Sequence, residues 1–167
     1  MKTAVFLDFD GVTHPSEAIL GLNQSITQHA IDSRGLFRWV KHLEELIEAA
    51  PQSLKDELFI AAHSSWRMLQ NLDQSLVRNG LGKLAPYYVG MTDPSMDRWN
   101  SIQDMRDRGQ FDNIIILDDS YKEFPEKLEQ LIICNPMKGL SDPDVIKKIS
   151  QLMNAPEKSE HRQREFK

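Results

Sequence analysis

Thr3-Ala4-Val5-Phe6-Leu7-Asp8-Phe9-Asp10-Gly11 is the stretch that decides how this chain folds. Thr3 to Leu7 is short and apolar and stops at a charge, which reads as a buried strand. Side chains on a strand alternate with period two, so Asp8 and Asp10 are expected on one face at the strand's end. Gly11 lets the backbone turn sharply away. Four more runs share this character. Leu58 to Ala62 is closed by His63-Ser64-Ser65, and Tyr87 to Val89 is a short strand. Asn113 to Leu117 ends in Asp118-Asp119, and Leu131 to Cys134 completes the set. Helical spacing lies between them. Leu36, Val40, Leu43, Leu46 and Ile47 mark a helix from Leu36 to about Ala50, with Pro51 just beyond. Trp66 to Leu72 and Asp73 to Arg78 read as helical. Trp99, Ile102 and Met105 give a helix from about Pro94 to Arg108, and Asp142 caps a last one with Pro143 as its first residue.

Apolar strands alternating with helices predict an α/β fold, a parallel five-stranded sheet covered on both faces. In such sheets ligands bind at the carboxyl ends of the strands. The residues at those ends are Asp8 with Asp10, Ser64 with Ser65, and Asp118 with Asp119. Four carboxylates near one point repel one another unless a cation is present. A ligand set made only of oxygen favours a hard ion such as Mg²⁺, which commonly binds substrate phosphate as well. A carboxylate also serves as nucleophile in enzymes that pass through an aspartyl-phosphate.

Composition agrees with one ordinary domain. The chain has 167 residues, 40% of them hydrophobic and 27% charged. Its single cysteine, Cys134, excludes an intrachain disulfide and a multi-cysteine zinc site, and lies in an apolar strand as a buried thiol. A net charge of −5 argues against a surface that coats polyanions generically. No segment approaches the ~18 apolar residues of a membrane span, and Asp8 and Asp10 interrupt any signal-peptide core. A cytoplasmic protein with no membrane partner is the expectation.

Phe6-Leu7-Asp8-Phe9-Asp10-Gly11-Val12 resembles the first motif of the haloacid dehalogenase-like (HAD) superfamily. Ile114-Ile115-Ile116-Leu117-Asp118-Asp119 resembles the fourth motif, and Ser64-Ser65 at a strand end resembles the second. Ser64-Ser65-Trp66-Arg67, Asp118-Asp119 and Gly139-Leu140-Ser141 together are similar to the small HAD domain found in multidomain RNA-repair proteins. The resemblance implies a Rossmann-like three-layer sandwich. The Asp8 strand would be central, with the Asp118 strand on one side and the Ser64 strand on the other. It implies a Mg²⁺-dependent phosphohydrolase acting on a phosphomonoester. Asp8 would be nucleophile and metal ligand; Asp10 would be general acid and base, with its carbonyl on the metal. Gly11 would shape the phosphate loop. Ser64, or Ser65, would bind the phosphoryl group, and Asp118 and Asp119 would complete the metal shell.

The third motif is a departure. The family places a lysine before the fourth strand, and here Arg98 stands in that place, with Lys83 as the alternative. His63 also replaces a residue that is often serine in related sequences. Residues 11–35 have room for a flap and not for a folded cap, so the site is expected to be essentially uncapped. That favours a bulky phosphorylated substrate such as a nucleotide or nucleic-acid end. The rival reading is a non-catalytic module that binds phosphate or a nucleic-acid end. The expected domain spans residues 1–155, followed by a charged tail over 156–167. Oligomeric state is open. His14, His29, His42 and His63 lack metal-ligand spacing and read as surface or packing residues. Trp66 and Trp99 read as packing residues, and Ser64 or Ser65 also suits a helix cap.

Overall fold

The computed structural model describes residues 1–22 and 25–155, so the expected charged tail lies outside the described residues. Five parallel strands form one sheet: β1 (Thr3–Leu7), β2 (Leu58–Ala62), β3 (Tyr88–Met91), β4 (Asn113–Asp118) and β5 (Leu131–Ile133). Their spatial order is β3-β2-β1-β4-β5, which makes β1 central, flanked by β2 and β4. Among the described residues there are six α-helices: α1 (Gln28–Arg34), α2 (Val40–Glu48), α3 (Gln52–Lys55), α4 (Gln74–Gly80), α5 (Arg98–Gly109) and α6 (Pro143–Met153).

The pleat of β1 sorts its side chains between two cores. Val5 and Leu7 join Val40, Leu43 and Ile47 of α2, Val77 of α4 and Val145 and Ile149 of α6 on one face. Ala4 and Phe6 join Ile102 of α5, with Phe111, Ile114 and Ile116, on the other. Both faces are therefore dry, which is why the strands read as continuous apolar runs rather than alternating ones. The result is the expected three-layer α/β sandwich.

Several elements differ from their sequence-based bounds. The helix expected from Leu36 starts at Val40, because Phe37 takes a left-handed φ of 65°. Both Leu36 and Phe37 are buried, so a tertiary contact, described below, overrides local periodicity there. The helix expected from Pro94 starts at Arg98, where Asp97 accepts the N–H of Asn100 at 2.8 Å. Trp66 to Leu72 forms only a single 3₁₀ turn, Ser65–Met68, after which Leu69 is extended. The stretch from Gly11 to Gly35 contains a 3₁₀ turn at Ser16–Ile19 and helix α1, whose cap Thr27 accepts from Ala30. Ala30 and Ile31 are buried, and Ser16 bonds to Pro136, so the described parts of this segment pack onto the body as a flap rather than a separate cap.

Gly139 secures the other side of that flap. It has φ +46°, and a Cβ there would lie 2.3 Å from the carbonyl oxygen of Val12 and 2.7 Å from the Trp39 ring. The following residue, Leu140, donates its N–H to that same Val12 oxygen at 2.9 Å. Gly139-Leu140-Ser141 thus joins the end of the sheet to the loop that follows Gly11.

Candidate active site

Strand register sets the site. Leu7 pairs with Ala62 on one side and Leu117 on the other. The next residues, Asp8, His63 and Asp118, therefore stand level across three adjacent strand ends. Asp119 follows one residue on. Ligand oxygens of Asp8, Asp118 and Asp119 lie within 4.8 Å of one another, with Asp8 and Asp118 buried and Asp119 half-buried. Gly11 has φ +80°, and a Cβ on it would lie 2.5 Å from Asp119 Oδ2. Glycine is required at this position both by the turn and by the close approach of that carboxylate.

Arg98, the first residue of α5, reaches into the cluster. Its Nη1 donates to Asp118 Oδ2 at 2.8 Å and lies 3.4 Å from Asp8 Oδ2, while Nε pairs with Glu123 at 2.7 Å. Asp97 makes this possible by capping the helix, which starts α5 at Arg98 and aims its side chain at the strand ends. Lys83 is elsewhere: it is exposed and pairs with Glu48 at the far end of α2, away from the strand carboxyl ends.

His63 donates from Nε2 to Asp118 Oδ2 at 2.9 Å, and its ring is fully buried against Phe124. Its Nδ1 has no partner among the described residues, so the neutral ring with the proton on Nε2 fits best. Burial holds the His63 pKa below its ordinary value, in agreement with a neutral ring. Asp118 Oδ1 accepts the N–H of Ser120 at 2.9 Å.

These surroundings separate the carboxylates. Burial, with Asp118 next in effect, raises Asp8 well above the usual carboxylate range, although Arg98 opposes the shift. Burial also works to raise Asp118, but the bond from His63 and the charge of Arg98 outweigh it and hold Asp118 low. Asp119 is raised by burial and by the charge of Asp118. Carboxyls whose environments pull them apart are a recurrent feature of acid–base and nucleophilic sites.

Asp10 departs from the expected geometry. Alternation breaks after Asp8, whose Oδ1 accepts the N–H of Phe9 at 2.9 Å. Asp8 faces Arg98 of α5, whereas Asp10 turns to His14 and Trp66, which pack with Phe9 and Phe37. His14 Nε2 lies 2.8 Å from Asp10 Oδ1, and Trp66 Nε1 donates to Oδ1 at 3.1 Å and Oδ2 at 3.3 Å. His14 and His63 thus carry more than the packing roles expected of them, since each bonds a carboxylate of the site.

Ser64 is buried and accepts the N–H of Trp66 at 3.2 Å, as the cap of the 3₁₀ turn. That bond uses a lone pair and leaves its O–H free to donate. Ser65 is exposed. Arg67 spans the rim, donating to the carbonyls of His63 at 2.7 Å and Met96 at 2.9 Å, and so ties the end of β2 to the segment entering α5. Trp99 packs against Phe124 with ring centroids 6.4 Å apart. Cys134 is buried, and burial pushes its thiol up to about 12, which keeps it protonated and unreactive. No helix among the described residues is long and apolar enough to cross a membrane.

Oxygen-only donors, crowded and partly buried, are the set a hard divalent cation requires. No curated protein and no solved structure shows significant similarity to the chain. The profile of a family described as "HAD domain in Swiss Army Knife RNA repair proteins" matches residues 4–145. That span takes in β1 from its second residue, every strand end that builds the site, and the start of α6. The chain therefore belongs to the HAD domain family of Swiss Army Knife RNA-repair proteins.

Proposed function

We propose that this domain is a Mg²⁺-dependent phosphohydrolase that cleaves a phosphomonoester through an aspartyl-phosphate on Asp8. The carrying observation is the convergence of Asp8, Asp118 and Asp119 within 4.8 Å, with Arg98 in contact with two of them. Asp8, Asp118, Asp119 and the backbone carbonyl of Asp10 would hold the ion. Bound Mg²⁺ would neutralise the crowded carboxylates and polarise the phosphoryl oxygens.

On this reading the chain's own residues divide the work. Asp8 attacks phosphorus and forms an acyl-phosphate bond as the ester P–O bond breaks. Asp10 supplies the proton that the leaving oxygen takes. It then removes a proton from the water that attacks phosphorus, which breaks the bond to Asp8 and releases inorganic phosphate. Arg98 holds negative charge in place on the phosphoryl group and steadies Asp118. The O–H of Ser64 is placed to donate to a phosphoryl oxygen; exposed Ser65 is the second candidate.

The substrate we propose is a nucleotide, a nucleic-acid end or another bulky phosphomonoester. The family's link with RNA repair supports this, as does the flap that takes the place of a cap. Tyr121, 70% exposed and two residues beyond Asp119 in sequence, is an aromatic on which a base could stack, with Lys122 the next residue.

Metal dependence tests the reading. Excess chelator should stop release of phosphate from a phosphomonoester, and Mg²⁺ should restore it. The ion should also stabilise the fold, because it binds the folded carboxylate cluster only. At 100 times Kd the gain is about 2.7 kcal/mol, a rise in Tm of about 5–10 °C for a chain of this size. Undiminished turnover in chelator, or no shift in Tm, would contradict the metal role of Asp118 and Asp119. Saturable phosphate binding without turnover would favour the non-catalytic reading.

A further inference from the structure

The position of Asp10 is over-determined in a way that its expected role does not require from sequence alone. Two aromatic N–H groups converge on one carboxylate oxygen, His14 Nε2 at 2.8 Å and Trp66 Nε1 at 3.1 Å, both on Oδ1. The tautomer of His14 follows from its other nitrogen. Nδ1 lies 3.1 Å from the Thr13 hydroxyl, which can donate or accept, and receives the backbone N–H of Phe37 at 3.2 Å; a backbone N–H can only donate, so Nδ1 carries no proton and Nε2 does. Phe37 adopts its left-handed φ of 65° in the turn that delivers this N–H. A non-glycine residue in that region is costly and persists only where its surroundings hold it.

The rings also lock one another. Phe9, Phe37 and Trp66 meet edge to face at 5.1–5.5 Å between centroids, and His14 lies 5.7 Å from both Phe37 and Trp66. His14 is fully buried and Trp66 nearly so. Neither ring can swing away without opening the core. Asp10 itself is only partly buried, and its charge acts on Asp8, so its carboxyl lies near the cluster and is not sealed off by the rings that orient it.

From this geometry we infer that His14 and Trp66 are positioning residues that fix Asp10 as the proton-transfer group and select the oxygen that carries the proton. Oδ1 is taken by both short contacts, whereas Oδ2 has only the longer one from Trp66 at 3.3 Å. Oδ2 is thus the oxygen that gives its proton to the leaving alkoxide and later takes one from water. The inference rests on the phosphohydrolase reading above, and deepens it.

Its signature is a dependence on the leaving group. An alkyl phosphate needs a proton delivered as its P–O bond breaks. 4-Nitrophenyl phosphate does not, because nitrophenolate leaves as a stable anion. Loss of a well-aimed proton donor therefore harms the first ester selectively, whereas general damage to the site harms both alike. Trp66→Phe removes one N–H and keeps most of the packing, and His14→Leu removes the other. In each, kcat/KM for a nucleoside 5′-monophosphate should fall about 30–100-fold, and for 4-nitrophenyl phosphate by less than about 5-fold. Asp10→Asn should show the same selectivity in stronger form. His14→Gln, whose amide N–H can reach Oδ1, should recover part of the loss. NMR of the ¹⁵N-labelled protein reads the bonds without turnover: His14 should show a protonated Nε2 and an unprotonated Nδ1, and Asp10→Ala should shift both the His14 and Trp66 ring N–H signals. The opposite His14 tautomer, or ring signals indifferent to Asp10→Ala, would overturn the inference. So would equal losses on the two esters in an otherwise active protein, which would leave the phosphohydrolase reading intact. A wild-type chain that hydrolyses neither ester with Mg²⁺ would remove the phosphohydrolase reading and this inference with it.

Discussion

Asp8→Asn should abolish turnover, by about 10⁴-fold or more, while making the protein more stable in the absence of metal. The rate loss follows from removing the attacking oxygen; an amide of the same shape cannot form the acyl-phosphate. The gain in stability follows from the electrostatics. Burial and the neighbouring Asp118 raise the Asp8 pKa in the folded protein well above 3.8. A folded-state pKa above the unfolded value means that the folded protein holds its proton more tightly. Ionising Asp8 therefore costs stability as the pH rises through that raised pKa. The advantage of Asp8→Asn should be full above the folded pKa and vanish below the ordinary carboxylate value near 3.8. Thermal melts in chelator at neutral and acid pH, beside an assay with Mg²⁺, check both halves. A variant that keeps most of its activity would show that Asp8 is not the nucleophile.

Arg98→Ala carries the second large effect. Its guanidinium bridges Asp118 and Asp8, both almost fully buried, and its own side chain is only 17% exposed. Removing one donor of this kind typically lowers kcat by about 10²–10³. Had the side chain been free of other partners, the cost in stability would be modest. The structure implies more, because two buried carboxylates and Glu123 lose their partner together. Breaking a buried pair from one side costs roughly 3 kcal/mol, somewhat less here for the remaining exposure of Arg98. On the proposed metal role Mg²⁺ would supply charge to the same carboxylates, so the rise in Tm on adding Mg²⁺ should be larger in Arg98→Ala than in the wild type. Arg98→Lys should recover part of the rate, since the charge returns without the planar fork. Arg106→Ala, near the other end of α5, should change neither. Equal and small effects at Arg98 and Arg106 would show that Arg98 does not serve the site.

What could be read from the sequence was whatever follows from strand periodicity and register. The five strands were visible as apolar runs, and their order around β1 came with the family resemblance. Asp118 and Asp119 fall beside Asp8 because parallel strands place their carboxyl ends on one edge of the sheet. The departures arise where a long-range contact overrules a local pattern. Leu36 and Phe37 carry helical spacing, yet the bond from Phe37 to His14 spans separate loops and delays α2 until Val40. Pro94 to Asp97 belongs to a loop, since a capping aspartate and not the apolar period sets the start of α5.

The same reason explains what was missed at the site. His14 lacks metal-ligand spacing, and its partner Asp10 is four residues away in a turn that local propensity does not reveal. A histidine three residues after the Asp-x-Asp-Gly run is the signal that the sequence offers. Trp66 reads as a core residue in the sequence, which its ring is, but its N–H bonds Asp10. The pairing of Glu123 with Arg98 depends on how the loop after Asp119 folds back, and nothing in residues 119–124 announces it.

The most direct measurement is the covalent state of Asp8 during turnover. Asp10→Asn protein should be mixed with Mg²⁺ and 4-nitrophenyl phosphate, quenched in acid within the first turnovers, digested and analysed by mass spectrometry. The substrate can transfer its phosphoryl group without a proton donor, while the second step lacks its general base, so the intermediate should accumulate. The predicted result is one phosphoryl group on the peptide containing Asp8, absent from Asp8→Asn and from protein held in chelator. Release of nitrophenol with no phosphoryl group on Asp8, or with the group on another residue, would contradict an aspartyl-phosphate mechanism at this site.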